Sequence, residues 1–174
     1  MPSLVLIGAP GAGKSTIGKL LAESVDCDFV DTDIAIEESE GRSVSDIFLN
    51  DGEAYFREVE QKSVHETLQR AGGQDMVVSL GGGSILSPQT REELGGLRVA
   101  WLQVSISDAM KRVGMNQSRP LLLGNVRANM ITLLAERTPL YESVADVVID
   151  TSTHSVDDCV RELQPLLTEK GGVA

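Results

Sequence analysis

Gly8-Ala9-Pro10-Gly11-Ala12-Gly13-Lys14-Ser15 follows directly on the apolar run Leu4-Val5-Leu6-Ile7 and leads into a segment of helical period. Glycines let a backbone curl so that successive N–H groups point inward at phosphate oxygens, and the positive end of the next helix adds to the same point. In this pattern Lys14 reaches the β- and γ-phosphates of a nucleotide, and the Ser15 hydroxyl takes a magnesium ion. A strand before and a helix after are the context the motif requires. The motif implies nucleotide binding and leaves the phosphate acceptor open.

Outward from this loop, apolar runs alternate with helix-period segments, which marks parallel strands joined by crossover helices and an α/β class. The strand candidates are Leu4 to Ile7, Phe29 to Asp31, Met76 to Leu80, Val99 to Val104 and Val147 to Ile149. Ser87 before Pro88 reads as a helix N-cap, and Ser155 with Asp158 as a variant capping box. Val156, Val160, Leu163 and Leu167 recur at helical spacing and are expected against the sheet. Two helical segments fill the space from Ile34 to Ala71, with breaks near Gly41 and Gly52. Pro139 is expected to kink or end its helix, and the stretch from Gly114 to Asn125 reads as a loop around Arg119.

The 174 residues suit one domain with one core, and 41% apolar with 24% charged residues is ordinary for a globular chain. A net charge of -11 argues against nucleic acid or an anionic membrane as partner, since both need a broad basic face. An anionic ligand must therefore be met by a few focused cations. Cys27 and Cys159 have no metal-ligand spacing and read as reduced core thiols, and the short apolar start is neither a signal core nor a membrane span. These features together read as a cytoplasmic protein.

The strand before Gly81-Gly82-Gly83 ends without the aspartate that nucleotide-hydrolysing switches place there to hold magnesium, and no guanine-reading Asn-Lys-x-Asp occurs. Three consecutive glycines suit close approach of a ligand to the backbone, or simply a flexible turn. Asp31-Thr32-Asp33 puts two carboxylates at the carboxyl edge of the sheet, where open α/β folds bind ligands. Asp31 suits the magnesium shell and Asp33 an acceptor hydroxyl; the same tripeptide also reads as a helix N-cap. His65 and His154 show no acidic partner in the sequence, and Trp101 reads as core.

The combination of Gly8 to Thr16, Asp31-Thr32-Asp33, Gly52-Glu53 with Phe56-Arg57, Gly81-Gly82-Gly83, Arg119-Pro120-Leu121 and Arg137 resembles the shikimate kinase family, in its order and approximate spacing, from Leu4 to about Ile149. The resemblance implies a three-layer nucleoside-monophosphate-kinase-like fold. That fold has a five-stranded parallel sheet flanked by helices, a substrate-binding helical segment at about 33–61 and a lid at about 114–125. It implies a single domain, monomeric, that transfers the γ-phosphoryl group of ATP to the 3-hydroxyl of shikimate with Mg2+, on the route to chorismate and the aromatic amino acids.

Carried over by position, Gly11, Ala12, Gly13, Lys14, Ser15 and Thr16 would hold ATP, with Ser15 and Asp31 at the metal. Asp33 would bind the ring hydroxyls, Arg57 and Arg137 the carboxylate, and Gly81, Gly82 and Gly83 the other face of the substrate. Arg119 would close onto the transferring phosphate, and Arg112 would lie along the adenine. Paired planar guanidinium groups fit selection of an organic acid by an acidic protein. Two other readings stand beside this one: a related kinase such as a gluconate kinase, and a nucleotide-binding module without catalysis.

Overall fold

The computed structural model describes residues 2–114 and 125–168, so Arg119 and the interior of the expected lid lie outside the described residues. The strand β1 (Leu4–Ile7) shows why four apolar residues stand in a row. Successive strand side chains point to opposite faces. Leu4 and Leu6 enter a cluster with Ile17, Leu21, Leu102 and Leu163, whereas Val5 and Ile7 enter another with Val64, Leu68, Trp101 and Tyr141. Helices cover both faces of the sheet, and so neither side of the strand tolerates a polar residue.

The chain continues as α1 (Lys14–Val25), β2 (Asp28–Asp31), α2 (Thr32–Glu40), α3 (Val44–Ala71), β3 (Met76–Ser79), α4 (Pro88–Leu94), β4 (Arg98–Gln103), α5 (Ile106–Gly114), α6 (Val126–Val144), β5 (Val147–Asp150) and α7 (Val156–Thr168). Among the described residues the five strands form one sheet in the order β2-β3-β1-β4-β5, with every pairing parallel. The strand ends agree with those expected from the apolar runs to within one residue. Because all strands run the same way, the segments after β1, β2 and β3 emerge at one edge, side by side.

Local chemistry sets the helix ends. Ser87 caps α4 by accepting from the Thr90 N–H, with Pro88 at the first helical position. Ser155 Oγ accepts from the Asp158 N–H at 3.1 Å, and the Asp158 carboxylate returns to Ser155. Gly41 closes α2 at φ 67°, and Gly52 breaks α3 at φ 84° and ψ 172°, a conformation open essentially to glycine alone. The two breaks fold α2 and the start of α3 into a hairpin around Ile36, Ile47 and Phe56 beside the carboxyl edge of the sheet.

The structure refines two expectations. Of the kink or end expected at Pro139, the end does not occur, since α6 runs on to Val144. Proline withdraws one N–H donor, and the burial of Tyr141 with the packing of Leu140 and Val144 in the core holds the last turn in place. In α7 the inward face is Cys159, Leu163 and Leu167 with Val160 beside them, while Val156 is 40% exposed because the first turn stands beyond the core.

A Cβ at Gly41 would meet nothing within 4 Å, so replacement there tests backbone conformation alone. Gly41→Ala is expected to cost about 1 kcal/mol, read as a lower urea midpoint at unchanged slope.

Candidate active site

The phosphate loop joins β1 to α1 with Gly8, Gly11 and Gly13 all at positive φ. Gly11 and Gly13, at 83° and 88°, hold the left-handed turn that aims the loop amides inward. The loop is also packed from behind. A Cβ on Gly8 would lie 2.5 Å from the Leu102 carbonyl oxygen, and one on Gly11 would lie 3.0 Å from that of Ala109. Neither carbonyl can withdraw without disturbing its own element, so these glycines are required by space as well as by torsion.

Lys14 is 7% exposed, and its Nζ donates to the carbonyls of Gly8 at 2.8 Å and Ala9 at 3.0 Å. Neutral acceptors hold the ammonium at the rim of the loop while leaving its charge in place for an anion. One residue on, the Ser15 hydroxyl donates to Asp31 Oδ2. The other oxygen, Asp31 Oδ1, caps α2 by accepting from the N–H groups of Asp33 (2.9 Å) and Ile34 (3.3 Å). Both sequence readings of Asp31 therefore hold at once: one oxygen is a helix cap, the other faces the serine that would hold a metal. A crevice of about 180 Å³ runs between them, lined by Gly13, Lys14, Ser15, Asp31 and Asp33. Oxygen donors of this kind fit Mg2+, which is normally bound through few protein ligands plus phosphate and water.

The glycine run after β3 forms the floor of the neighbouring space. Thr32 Oγ1 accepts from the Gly81 N–H at 3.0 Å, fixing the run to the start of α2. A Cβ on Gly81 would stand 2.6 Å from Asp33 Oδ1 and 3.0 Å from Glu60 Oε2; one on Gly83 would overlap the Arg57 guanidinium at 2.2 Å. Gly82 is wedged against the phosphate loop, with Pro10 Cδ 3.0 Å from its would-be Cβ. The three glycines thus let protein groups approach the backbone, where the sequence suggested a ligand or a flexible turn. Asp33, Arg57 and Glu60 are thereby gathered on one strip.

Arg57 donates from Nη1 to Glu60 at 2.7 Å and from Nη2 to Glu53 at 3.4 Å. Its Nε is buried without a partner among the described residues. Glu60, only 4% exposed, is held above the usual carboxylate range by burial, and Arg57 partly offsets that rise. Arg137 on α6 is 5% exposed, again with an unpartnered Nε, and it faces the phenol of Tyr141 one turn later. Tyr141 donates to the Gly82 carbonyl at 2.6 Å, and burial raises its pKa to about 12. Arg57 and Glu60 also act on that phenol electrostatically, so both arginines surround the glycine strip. Beside Arg57 a cleft of about 500 Å³ opens between α3 and α4.

Arg112 lies on the other flank. Its guanidinium donates to the Gly11 carbonyl (2.9 Å), Thr151 Oγ1 (3.2 Å) and the Thr151 carbonyl (3.3 Å), next to a hollow of about 210 Å³ shared with Thr16 and His154. A larger hollow of about 810 Å³ lies at the amino end of the sheet, among Gly72, Gly96 and Asp146. It is open, and far from Lys14 and the carboxyl edge where this fold presents ligands.

Sequence reasoning missed Glu60 and Tyr141. Their signal was spacing: Glu60 sits three residues after Arg57, and Tyr141 four after Arg137, each on the same helical face as its arginine. It also missed the carboxylates beside the histidines. His65 Nδ1 lies 2.6 Å from Glu93, and His154 Nε2 lies 3.1 Å from Glu162. Both pairs join separate elements or remote turns, which spacing along the chain does not reveal.

A phosphate loop, two carboxylates and buried guanidinium groups at one sheet edge define a P-loop phosphotransferase. The chain matches the shikimate kinase family profile over residues 10–168. It is 48% identical over 170 residues to the shikimate kinase of Thermobifida fusca (strain YX), covering 98% of this chain and 97% of that one. Among solved structures, the shikimate kinase from Acinetobacter baumannii in complex with shikimate superposes with a TM-score of 0.90 at 32% identity, covering 97% and 93% of the two chains. A gluconokinase from Sinorhizobium meliloti 1021 gives a TM-score of 0.58 at 22% identity over 96% and 91%, a likeness of fold alone. The chain belongs to the shikimate kinase family.

The burial of Glu60 has a measurable consequence. Its folded pKa is raised, so below the unfolded pKa it is neutral in both states and equivalent to glutamine. As pH rises, the unfolded chain ionises first and the wild type loses stability until the folded pKa is passed. Glu60→Gln should therefore gain stability relative to wild type as pH rises past 4.5, the ordinary glutamate value, by thermal unfolding. A difference independent of pH would contradict the raised pKa.

Proposed function

We propose that this member of the shikimate kinase family transfers the γ-phosphoryl group of ATP to the 3-hydroxyl of shikimate by positioning and electrostatics. The observation that carries the reading is the glycine strip, which sets Asp33, Arg57 and the phosphate loop within contact of one short backbone segment. Phosphoryl transfer needs an acceptor oxygen in line with the γ-phosphorus, and such a strip fixes the two sides against each other.

In this reading Gly11, Ala12, Gly13, Lys14, Ser15 and Thr16 bind the triphosphate, with Arg112 and the hollow near Thr151 on the side of the base. Ser15 and Asp31 would hold magnesium, which would supply neutralisation of charge on the β- and γ-phosphates. Arg57 and Arg137 bind the shikimate carboxylate with guanidinium N–H donors that the described residues leave unused. Asp33 orients the acceptor hydroxyl and receives its proton as the oxygen bonds to phosphorus and the bond to the ADP oxygen breaks. Arg119 supplies positive charge to the transferring group. All these groups come from one chain, which suits a monomer working where ATP is made available, in the cytoplasm.

Asp33→Asn should lower turnover on shikimate by roughly 10²- to 10⁴-fold while the ADP dissociation constant stays within about twofold. Arg137→Lys should raise the shikimate KM at least about tenfold, since a point charge cannot replace the planar fork. A coupled assay comparing shikimate with gluconate checks both. Turnover on gluconate alone would favour the gluconate-kinase reading, and binding of ATP without turnover on either would favour a silent module.

A further inference from the structure

Tyr141 stands where the two halves of the site meet. It is 1% exposed, and its ring stacks on Trp101 at 5.7 Å between centroids and 30° between planes. Its hydroxyl donates to the Gly82 carbonyl at 2.6 Å, and the charge of Arg137, one turn earlier on α6, acts on the same phenol. Gly82 is held from the other side by the phosphate loop, the Gly8 carbonyl lying 3.2 Å and Pro10 Cδ 3.0 Å from where its Cβ would stand. The phenol thus ties α6 to one peptide carbonyl one turn beyond Arg137, and that peptide touches the loop that holds phosphate.

We propose that Tyr141 is a positioning residue that aims Arg137 and fixes its distance from the phosphate loop through the Gly82 carbonyl. The idea rests on the reading in which Arg137 binds the substrate carboxylate. Among the described residues the hydroxyl is the one group on α6 that bonds to that strip, and it stands one helical turn from Arg137. Loss of the hydroxyl leaves the ring packed on Trp101 and frees both Arg137 and Gly82. Arg137 then grips the acid in a broader range of positions, and the acceptor should bind more weakly even though the phosphate loop keeps its own glycines, Lys14 and Ser15.

Tyr141→Phe removes the hydroxyl alone. It should raise the shikimate KM by about fivefold, the effect of one buried hydrogen bond, with the ADP dissociation constant measured without shikimate unchanged within about twofold. Trp101→Phe is the control, since it loosens the same ring stack and keeps the hydroxyl. An unchanged shikimate KM in Tyr141→Phe, or an equal rise in Trp101→Phe at the same loss of melting temperature, overturns the proposal. If Arg137→Lys also leaves the shikimate KM unchanged, the underlying reading of Arg137 fails; if only Tyr141→Phe does so, the positioning role alone fails. A readout that needs no folded variant is the 19F spectrum of protein carrying 3-fluorotyrosine at its two tyrosines, Tyr55 and Tyr141. Saturating shikimate should shift the buried resonance and ADP alone should not; a buried resonance indifferent to shikimate overturns the proposal.

Discussion

The architecture of this site depends on a steric constraint: three consecutive residues after β3 carry no side chains. Asp33 from α2, Arg57 and Glu60 from α3, and Pro10 of the phosphate loop all occupy volume that Cβ atoms at Gly81, Gly82 and Gly83 would fill. A strip of bare backbone is the place where elements distant in the chain can be brought within hydrogen-bonding range of a common ligand. Backbone freedom is secondary here, because none of the three glycines adopts positive φ. The requirement is for room.

Electrostatics explains how a chain of net charge -11 handles anions. The cations in the site are few, and they are buried or half-buried. Lys14 is held by carbonyls and Arg57 by Glu60 and Glu53, while Arg137 lies buried one turn before Tyr141 on α6. Burial of a guanidinium is costly unless its donors are matched, and both arginines retain an unmatched Nε. Such orphan donors in a native protein call for a partner, and in the proposed reading the substrate's carboxylate is that partner. Glu53 and Glu60 offset the charge of Arg57, so a few cations are carried without a broad basic surface that would attract nucleic acid.

Much of this was legible in the sequence, because it rests on local rules. The row of apolar residues in β1 betrays a strand buried on both faces, and the glycine spacing with Lys14 and Ser15 betrays the phosphate loop. Gly41 and Gly52 mark real breaks, since each takes a conformation other residues avoid. What escaped were relations set only by packing. Glu60 and Tyr141 look like ordinary helical residues until α3 and α6 are laid against the glycine run. Pro139 reads as a kink or an end because local rules weigh its lost donor, and the core contacts of Tyr141 just beyond it carry α6 on to Val144. Val156 fitted the helical period and still lies outside the core.

The central claim is that Gly83 has no side chain so that the Arg57 guanidinium can lie across it and meet the acid. The most direct measurement is the kcat/KM for shikimate of Gly83→Ala, set beside its ADP dissociation constant. The account predicts a loss of at least about tenfold in kcat/KM, equivalent to about 1.4 kcal/mol, with ADP affinity retained because the phosphate loop is not touched. Wild-type kcat/KM in a folded Gly83→Ala enzyme would contradict it.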